Sequence, residues 1–249
     1  LRGSKYVYSN SAGAYRSVKK LLAEGRKVLF VSAPCQIAAL RAIVGDSSEG
    51  LISVDLICHG TPPIAFLREH LNSKVEGAWD SFSFRGKSDF RMCAYREGEL
   101  VFDEPCFEDE YFSAFITGAI HRDACYECPY ACNQRAGDIT LGDFWGLDMS
   151  TLGAMPPGKV SVVLCNTQKG ADVLAKLPSS VYLEEREFSE ADNEEQTNLH
   201  EPSVRTGDRQ RFIKAYEQVG FDSAVHKTWA WRRFQLRVLK HKVMGLVGR

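Results

Sequence analysis

Two stretches of the chain are apolar almost without interruption, and each runs directly into a short helical pattern. Lys27-Val28-Leu29-Phe30-Val31-Ser32 is followed by Ile37, Leu40 and Ile43 at helical spacing, ending at Gly45. Leu51-Ile52-Ser53-Val54-Asp55-Leu56-Ile57 is followed by a helix over residues 63–71 with Pro63 in its first turn. A strand apolar on both faces needs cover on both faces, as in a parallel sheet under helices. Lys5-Tyr6-Val7-Tyr8 reads as a further strand, and Tyr15, Val18, Leu21 and Leu22 as a helix stopped by Gly25. The alternation predicts an α/β fold with a parallel or mixed sheet and flanking helices.

The middle of the chain changes period. Phe82, Phe84, Met92, Ala94, Leu100 and Phe102 alternate in short runs broken by Gly86 and Gly98, which predicts a small β-meander. Residues 108–120 read as an amphipathic helix and residues 125–132 as a cysteine-rich loop. Residues 138–145 and 160–165 read as strands, separated by a turn at Pro156-Pro157-Gly158, and residues 170–177 as a helix. Seven acids between Glu184 and Glu195 flank only Arg186, a solvated face. Residues 1–220 are expected to form the main domain and residues 221–249 a basic amphipathic helix. In that helix Trp231, Phe234, Val238 and Lys242 share one line. With no broad apolar face it is expected to pack on the domain in preference to peripheral membrane contact.

With 249 residues, 44% hydrophobic and 25% charged, the chain can bury a real core, and a disordered or rod-like protein is excluded. Net charge is −1, so no nucleic-acid partner is expected. No apolar run approaches the roughly 20 residues of a membrane span. The start, Leu1-Arg2-Gly3, carries no signal peptide and no initiating Met, and reads as a fragment edge or processed end. Without an Asn-x-Ser/Thr sequon the expected location is cytoplasmic, where clustered cysteines bind metal or do redox chemistry.

Eight cysteines are present, and three fall in Cys125-Tyr126-Glu127-Cys128-Pro129-Tyr130-Ala131-Cys132. That spacing favours an iron–sulfur cluster over a zinc site, because only one Cys-x-x-Cys pair is visible; unliganded structural thiols are the third reading. A fourth ligand must come from elsewhere. Cys35 is the first candidate and Cys58 the reserve, each just past an apolar strand. Ser32-Ala33-Pro34-Cys35-Gln36 and Cys58-His59-Gly60-Thr61 are turns at strand ends, where open α/β sheets bind ligands. Ser32, Ala33, Pro34, Gln36, His59, Gly60 and Thr61 are therefore the candidate cofactor-binding residues. No P-loop, Gly-x-Gly-x-x-Gly, His-Glu-x-x-His or Gly-x-Ser-x-Gly occurs, and no catalytic proton donor is assigned.

Ser32-Ala33-Pro34-Cys35-Gln36-Ile37, Asp55-Leu56-Ile57-Cys58-His59-Gly60, Ser81-Phe82-Ser83-Phe84-Arg85, the cysteine loop and Asp138-Ile139-Thr140-Leu141-Gly142-Asp143-Phe144-Trp145-Gly146 follow one another in this order. The ordered set, over roughly residues 5–220, resembles the C-terminal domain of the coenzyme F-420 (deazaflavin) hydrogenase/dehydrogenase beta subunit family. The resemblance implies an oxidoreductase carrying FAD and a 4Fe–4S cluster. It would pass electrons between a hydride carrier, with deazaflavin coenzyme F-420 as a candidate, and a partner protein. Ala33 stands where the family usually has Thr, which removes one hydroxyl from the expected flavin site. Family members begin with a ferredoxin-like domain, and this chain starts after it, so electron entry is expected through a partner or such a domain. The rival expectation is a non-enzymatic, metal-stapled interaction module of a surface-polysaccharide pathway.

Overall fold

The computed structural model describes residues 6–45, 49–86, 90–154, 156 and 158–247, with side chains described for all except residues 237 and 240–247. In chain order the regular elements are α1 (Ala12–Ala23), β1 (Val28–Ser32), α2 (Pro34–Val44), β2 (Leu51–Leu56), α3 (Ile64–Lys74), β3 (Ser81–Ser83), β4 (Arg91–Arg96) and β5 (Glu99–Pro105). There follow α4 (Glu110–Ile116), β6 (Ile139–Asp143), β7 (Ser161–Cys165), α5 (Gln168–Leu174), α6 (Phe188–Ala191), α7 (Gly207–Val219), α8 (Phe221–His226) and α9 (Trp229–Val247). The expected α/β class holds. Two compact units share these elements, each built from separated stretches of chain: residues 10–59 with 127–202, and residues 1–9 with 60–126 and 203–249. The boundary expected at residue 220 falls inside the second of these units.

The sheet unit, residues 10–59 with 127–202, carries four strands in the order β1-β2-β6-β7. The first three are parallel, with Val28 opposite Leu51 and Val54 opposite Ile139; β7 is an antiparallel edge, with Asp143 opposite Ser161. The mixed sheet leaves the carboxyl ends of β1, β2 and β6 on one side, from which Ser32–Gln36 and Cys58-His59 follow within this unit. Val18, Leu40 and Leu51 form a small apolar cluster with Tyr15 and Phe30. The rest of the centre is polar: Ser53, Asp55, Asp138 and Thr140 are all buried. Arg186 in the acidic stretch pairs with Glu184 and Glu190.

The helical unit, residues 1–9, 60–126 and 203–249, holds the larger apolar core, with Phe66, Leu67, Tyr111, Phe112, Phe212 and Phe221 at its centre. The expected meander is β3-β4-β5, turned at Glu97-Gly98, both at positive φ. Two expectations are corrected. Tyr6-Val7-Tyr8 is not a strand, and Lys5 lies outside the described residues. The Tyr8 N–H bonds Pro62 O and the Tyr6 carbonyl accepts from Tyr111 Oη, so this backbone spends its polar groups on single contacts and joins no ladder. The helix expected over residues 108–120 is shorter. Asp109 caps it, accepting from Phe112 N at 2.7 Å. Its end is a Schellman motif: Gly118, at φ 69°, donates to Phe115 O, and Ala119 N donates to Ala114 O. The turn expected at Pro156-Pro157-Gly158 includes Pro157, which is outside the described residues.

The single helix expected over residues 221–249 is instead two, α8 and α9, parted at Lys227-Thr228, with residues 248–249 outside the described residues; the beginning of α9 packs on this unit. Asp208 in α7 accepts from the Trp229 and Ala230 N–H groups, both at 2.8 Å, satisfying donors that a helix N-terminus otherwise leaves open. Trp231 packs against the core and stacks on His226 at 4.9 Å between ring centroids. Among the described residues no helix is long and apolar enough to cross a membrane.

A buried ion cluster joins three parts of the helical unit. His70, on α3, bonds Asp109 Oδ2 through Nε2 at 2.7 Å and Asp222 Oδ1 through Nδ1 at 2.6 Å. Burial alone would lower the imidazole pKa, but the two carboxylates outweigh it and push it up to about 10. The cation therefore persists through neutral pH. Because the folded pKa lies above the unfolded value near 6.5, the stabilisation is full below about 6.5 and lost as pH rises towards 10. We expect His70→Gln to cost about 3–5 kcal/mol at pH 6.5, by leaving two carboxylates short of their partner. Urea unfolding at pH 6.5 and pH 9.5 checks this: the gap between wild type and variant narrows at the higher pH, and a gap that does not narrow contradicts the assignment.

Candidate functional site

The first candidate turn is built by β1 running into α2. Ala33 is the cap residue in extended conformation, and its carbonyl accepts from Gln36 N at 2.9 Å and Ile37 N at 3.1 Å. Pro34 occupies the first helical position, where its missing N–H costs nothing. Ser32 Oγ donates to Gln36 Oε1, so a side-chain bond spans the strand end and the first helical turn. Gln36 is buried, whereas Cys35 points out and is exposed. Cys58 and His59 follow β2 in the same unit, and both are half-buried.

Gly60 and Thr61 belong to the helical unit. Gly60 has φ 117°, and a Cβ there would stand 2.5 Å from Nδ1 of the buried His121. Backbone angle and lack of space both demand glycine. The Thr61 carbonyl accepts from Arg122 N at 3.1 Å, and Thr61 Oγ1 is 4.0 Å from Cys125 Sγ. Thus within this unit the structure brings together Thr61, a candidate cofactor residue, and Cys125, a candidate ligand. Arg122 also lies over the Tyr8 ring, 3.8 Å from its centroid. We expect Gly60→Ala to cost about 1–3 kcal/mol through strain and collision with His121. A chemical-denaturation midpoint equal to wild type would contradict this.

Cys128 and Cys132 lie in the sheet unit, half-buried, on a turn that leads to Arg135 and then to β6. Cys132 Sγ lies 3.4 Å from the carbonyls of Pro129 and Gln134. The turn is tied to the sheet by Arg135, whose side chain is 1% exposed and pairs with Asp55 at 0%. Asp55 Oδ1 accepts from Arg135 Nη2 at 2.9 Å and Oδ2 from Gly137 N at 2.7 Å. Next to it Asp138 Oδ2 accepts from Ser53 N at 2.8 Å and Ser53 Oγ at 2.7 Å, and Oδ1 from Arg41 Nη2 at 3.1 Å and Thr167 Oγ1 at 2.9 Å. Burial would raise the Asp138 pKa, but the Ser53 and Thr167 hydrogen bonds outweigh it and hold the carboxyl below its ordinary value. Gly137 is obligatory here because a Cβ would stand 2.8 Å from Asp55 N.

None of the eight cysteines is joined in a disulfide. Cys93 and Cys106 are buried, with the Cys93 thiol 3.6 Å from Asp103 Oδ1, while Cys165 is exposed. Within neither unit do three described cysteine sulfurs come within 4.8 Å of one another. A tetrahedral zinc ion would draw its ligand sulfurs to about 3.8 Å apart. A cubane cluster gives each thiolate its own iron and so holds sulfurs farther apart. The thiols of Cys125, Cys128 and Cys132 fit the donor chemistry of a cluster, which is held mainly by cysteine thiolates. Among the described residues one group of three metal-ligating side chains does converge, His70, Asp109 and Glu110. Its donors are already used: His70 on Asp109 and Asp222, and Glu110 on Lys74 at 2.8 Å.

Sequence reasoning did not single out Arg135, Asp55, Asp138 or His121. A signal existed for one of them: Ser53 and Asp55 are polar, two residues apart, inside an otherwise apolar strand, so one buried face needed partners.

Residues 25–191, more than half of the chain, match the family model for the C terminus of the coenzyme F420 hydrogenase/dehydrogenase beta subunit. The chain belongs to this family. Its description is that of a redox subunit, and the motifs at residues 32–37, 55–60 and 138–146 all fall within the match. A solved structure of the F420-reducing [NiFe] hydrogenase complex from Methanosarcina barkeri is similar at 18% identity and a TM-score of 0.41. The similarity covers 70% of this chain and 56% of that one, too slight a likeness to bear on the site. No curated protein sequence matches the chain.

Proposed function

We propose that this chain is an iron–sulfur flavoprotein module of an oxidoreductase, located in the cytoplasm and working with a separate electron-transfer protein or ferredoxin-like domain. What supports the reading is family membership together with three free thiols within an eight-residue loop. Cys125, Cys128 and Cys132 would ligate a 4Fe–4S cluster, with Cys35 as fourth ligand and Cys58 in reserve. Ser32, Ala33, Pro34, Gln36, His59, Gly60 and Thr61 would hold FAD. When bound, these groups supply two-electron exchange with a small hydride carrier, coenzyme F-420 being one candidate, and one-electron exchange with the partner.

The chain's own part is binding and orientation. The Ser32–Gln36 bond fixes the Gln36 amide at the first turn of α2, and Ala33 presents a short side chain beside it. Gly60 carries no side chain of its own, and the His121 ring fills the place of one. Gln36→Leu removes an amide and leaves Ser32 without its partner, so FAD retention after desalting is expected to fall several-fold; equal retention would place the flavin elsewhere. Cys128→Ser is expected to remove most bound iron and to lower the melting temperature, since metal binding contributes folding free energy. Iron content and melting temperature both unchanged would remove the loop from the reading, and a colourless zinc protein would favour the metal-stapled interaction module.

A further inference from the structure

We propose that Arg135 is the positioning residue of the cysteine loop, holding the Cys128–Cys132 turn in its ligating shape against the end of β2. The inference rests on the reading of that loop as a cluster site. Arg135 presents five N–H donors in a planar fork, and every one finds an acceptor. Nη1 donates to the carbonyls of Tyr130 and Cys132, both at 3.0 Å. Nη2 donates to Asp55 Oδ1 and to the Leu56 carbonyl, both at 2.9 Å. Nε reaches Asp55 Oδ1 and Thr140 Oγ1, both at 3.3 Å. One side of the fork thus grips two carbonyls of the loop and the other grips the sheet. The other Asp55 oxygen takes Gly137 N, so the same carboxylate also fixes the chain as it leaves the loop for β6.

This arrangement is more than a fold contact. A buried guanidinium needs one counter-ion, and Asp55 supplies it. The two donors spent on Tyr130 and Cys132 are not needed to join β2 to β6, which the parallel ladder from Val54–Ile139 to Leu56–Leu141 already does. They act on the carbonyl of the candidate ligand Cys132 itself and on the residue two before it. Turning those carbonyls inwards sets the backbone orientation from which the Cys132 thiolate projects. Lysine retains the charge but has three donors and no fork, so it cannot hold both carbonyls and Asp55 together.

Arg41 is the internal control. It joins the same buried polar centre, bonding the Ala136 carbonyl at 2.6 Å and Asp138 at 3.1 Å, and so grips the chain after the loop and not residues 128–132. The test uses the full chain, loaded anaerobically with iron and sulfide, as wild type, Arg135→Lys and Arg41→Lys. The readouts are iron release to a chelator, the electron paramagnetic resonance spectrum of the reduced protein, and melting temperature. We expect Arg135→Lys to release iron about 10–100-fold faster and to show an altered spectrum, as loss of a partner that orients a metal ligand does. Arg41→Lys is expected to melt lower with wild-type iron release and spectrum. Equal iron release and equal spectra in wild type and Arg135→Lys would overturn the inference, as would faster release in both variants in step with their melting temperatures. A wild-type chain that takes up no iron and sulfide would overturn the cluster reading and this inference together.

Discussion

The Asp55–Arg135 ion pair is the contact on which the sheet unit turns. Asp55 stands one residue from the end of β2, fully buried, and a carboxylate there is tolerable only with a charged partner and satisfied oxygens. Arg135 provides the charge and Gly137 the second hydrogen bond. In meeting that demand the chain is obliged to pass from the cysteine loop into β6 at one place and in one register. Asp138 repeats the logic at Ser53, two residues before Asp55, with Ser53, Arg41 and Thr167 as its donors. The polar centre of the sheet and the shape of the loop are therefore one structure.

The helical unit uses the same device for a different end. His70, between Asp109 and Asp222, ties α3 to the cap of α4 and to α8, while a large aromatic core supplies the burial. Asp109 serves twice, one oxygen capping α4 and the other bonding the imidazole. Asp208 likewise fixes the start of α9, which explains why a strongly basic segment begins as a packed helix. Ionised side chains in both units select geometry, and apolar area supplies the driving force.

Much of this was legible from the chain alone. The apolar runs at residues 27–32 and 51–57 could be covered only in a parallel arrangement, and the polar break at Gly98 marked the hairpin. The strand-end turns and the cysteine loop stood out by composition. Pairings distant in sequence did not: Asp55 and Arg135 are 80 residues apart, and nothing local announces which arginine answers a buried aspartate. Tyr6-Val7-Tyr8 failed as a strand because β-propensity says nothing about whether a neighbouring strand exists. The helix after Asp109 ends early because Gly118 adopts the left-handed Schellman position, which an apolar period by itself does not register. The assembly of each unit from separated stretches has no signature in periodicity at all.

Whether the free thiols of residues 125–132 hold an iron–sulfur cluster decides the functional reading. Metal and acid-labile sulfide analysis of the anaerobically purified chain, alongside its visible spectrum, tests it most directly. The predicted result is iron and sulfide in equal amounts and a brown protein with broad absorbance at about 400–450 nm, characteristic of thiolate-ligated clusters. Zinc without sulfide, or no metal at all, in a folded chain would contradict it.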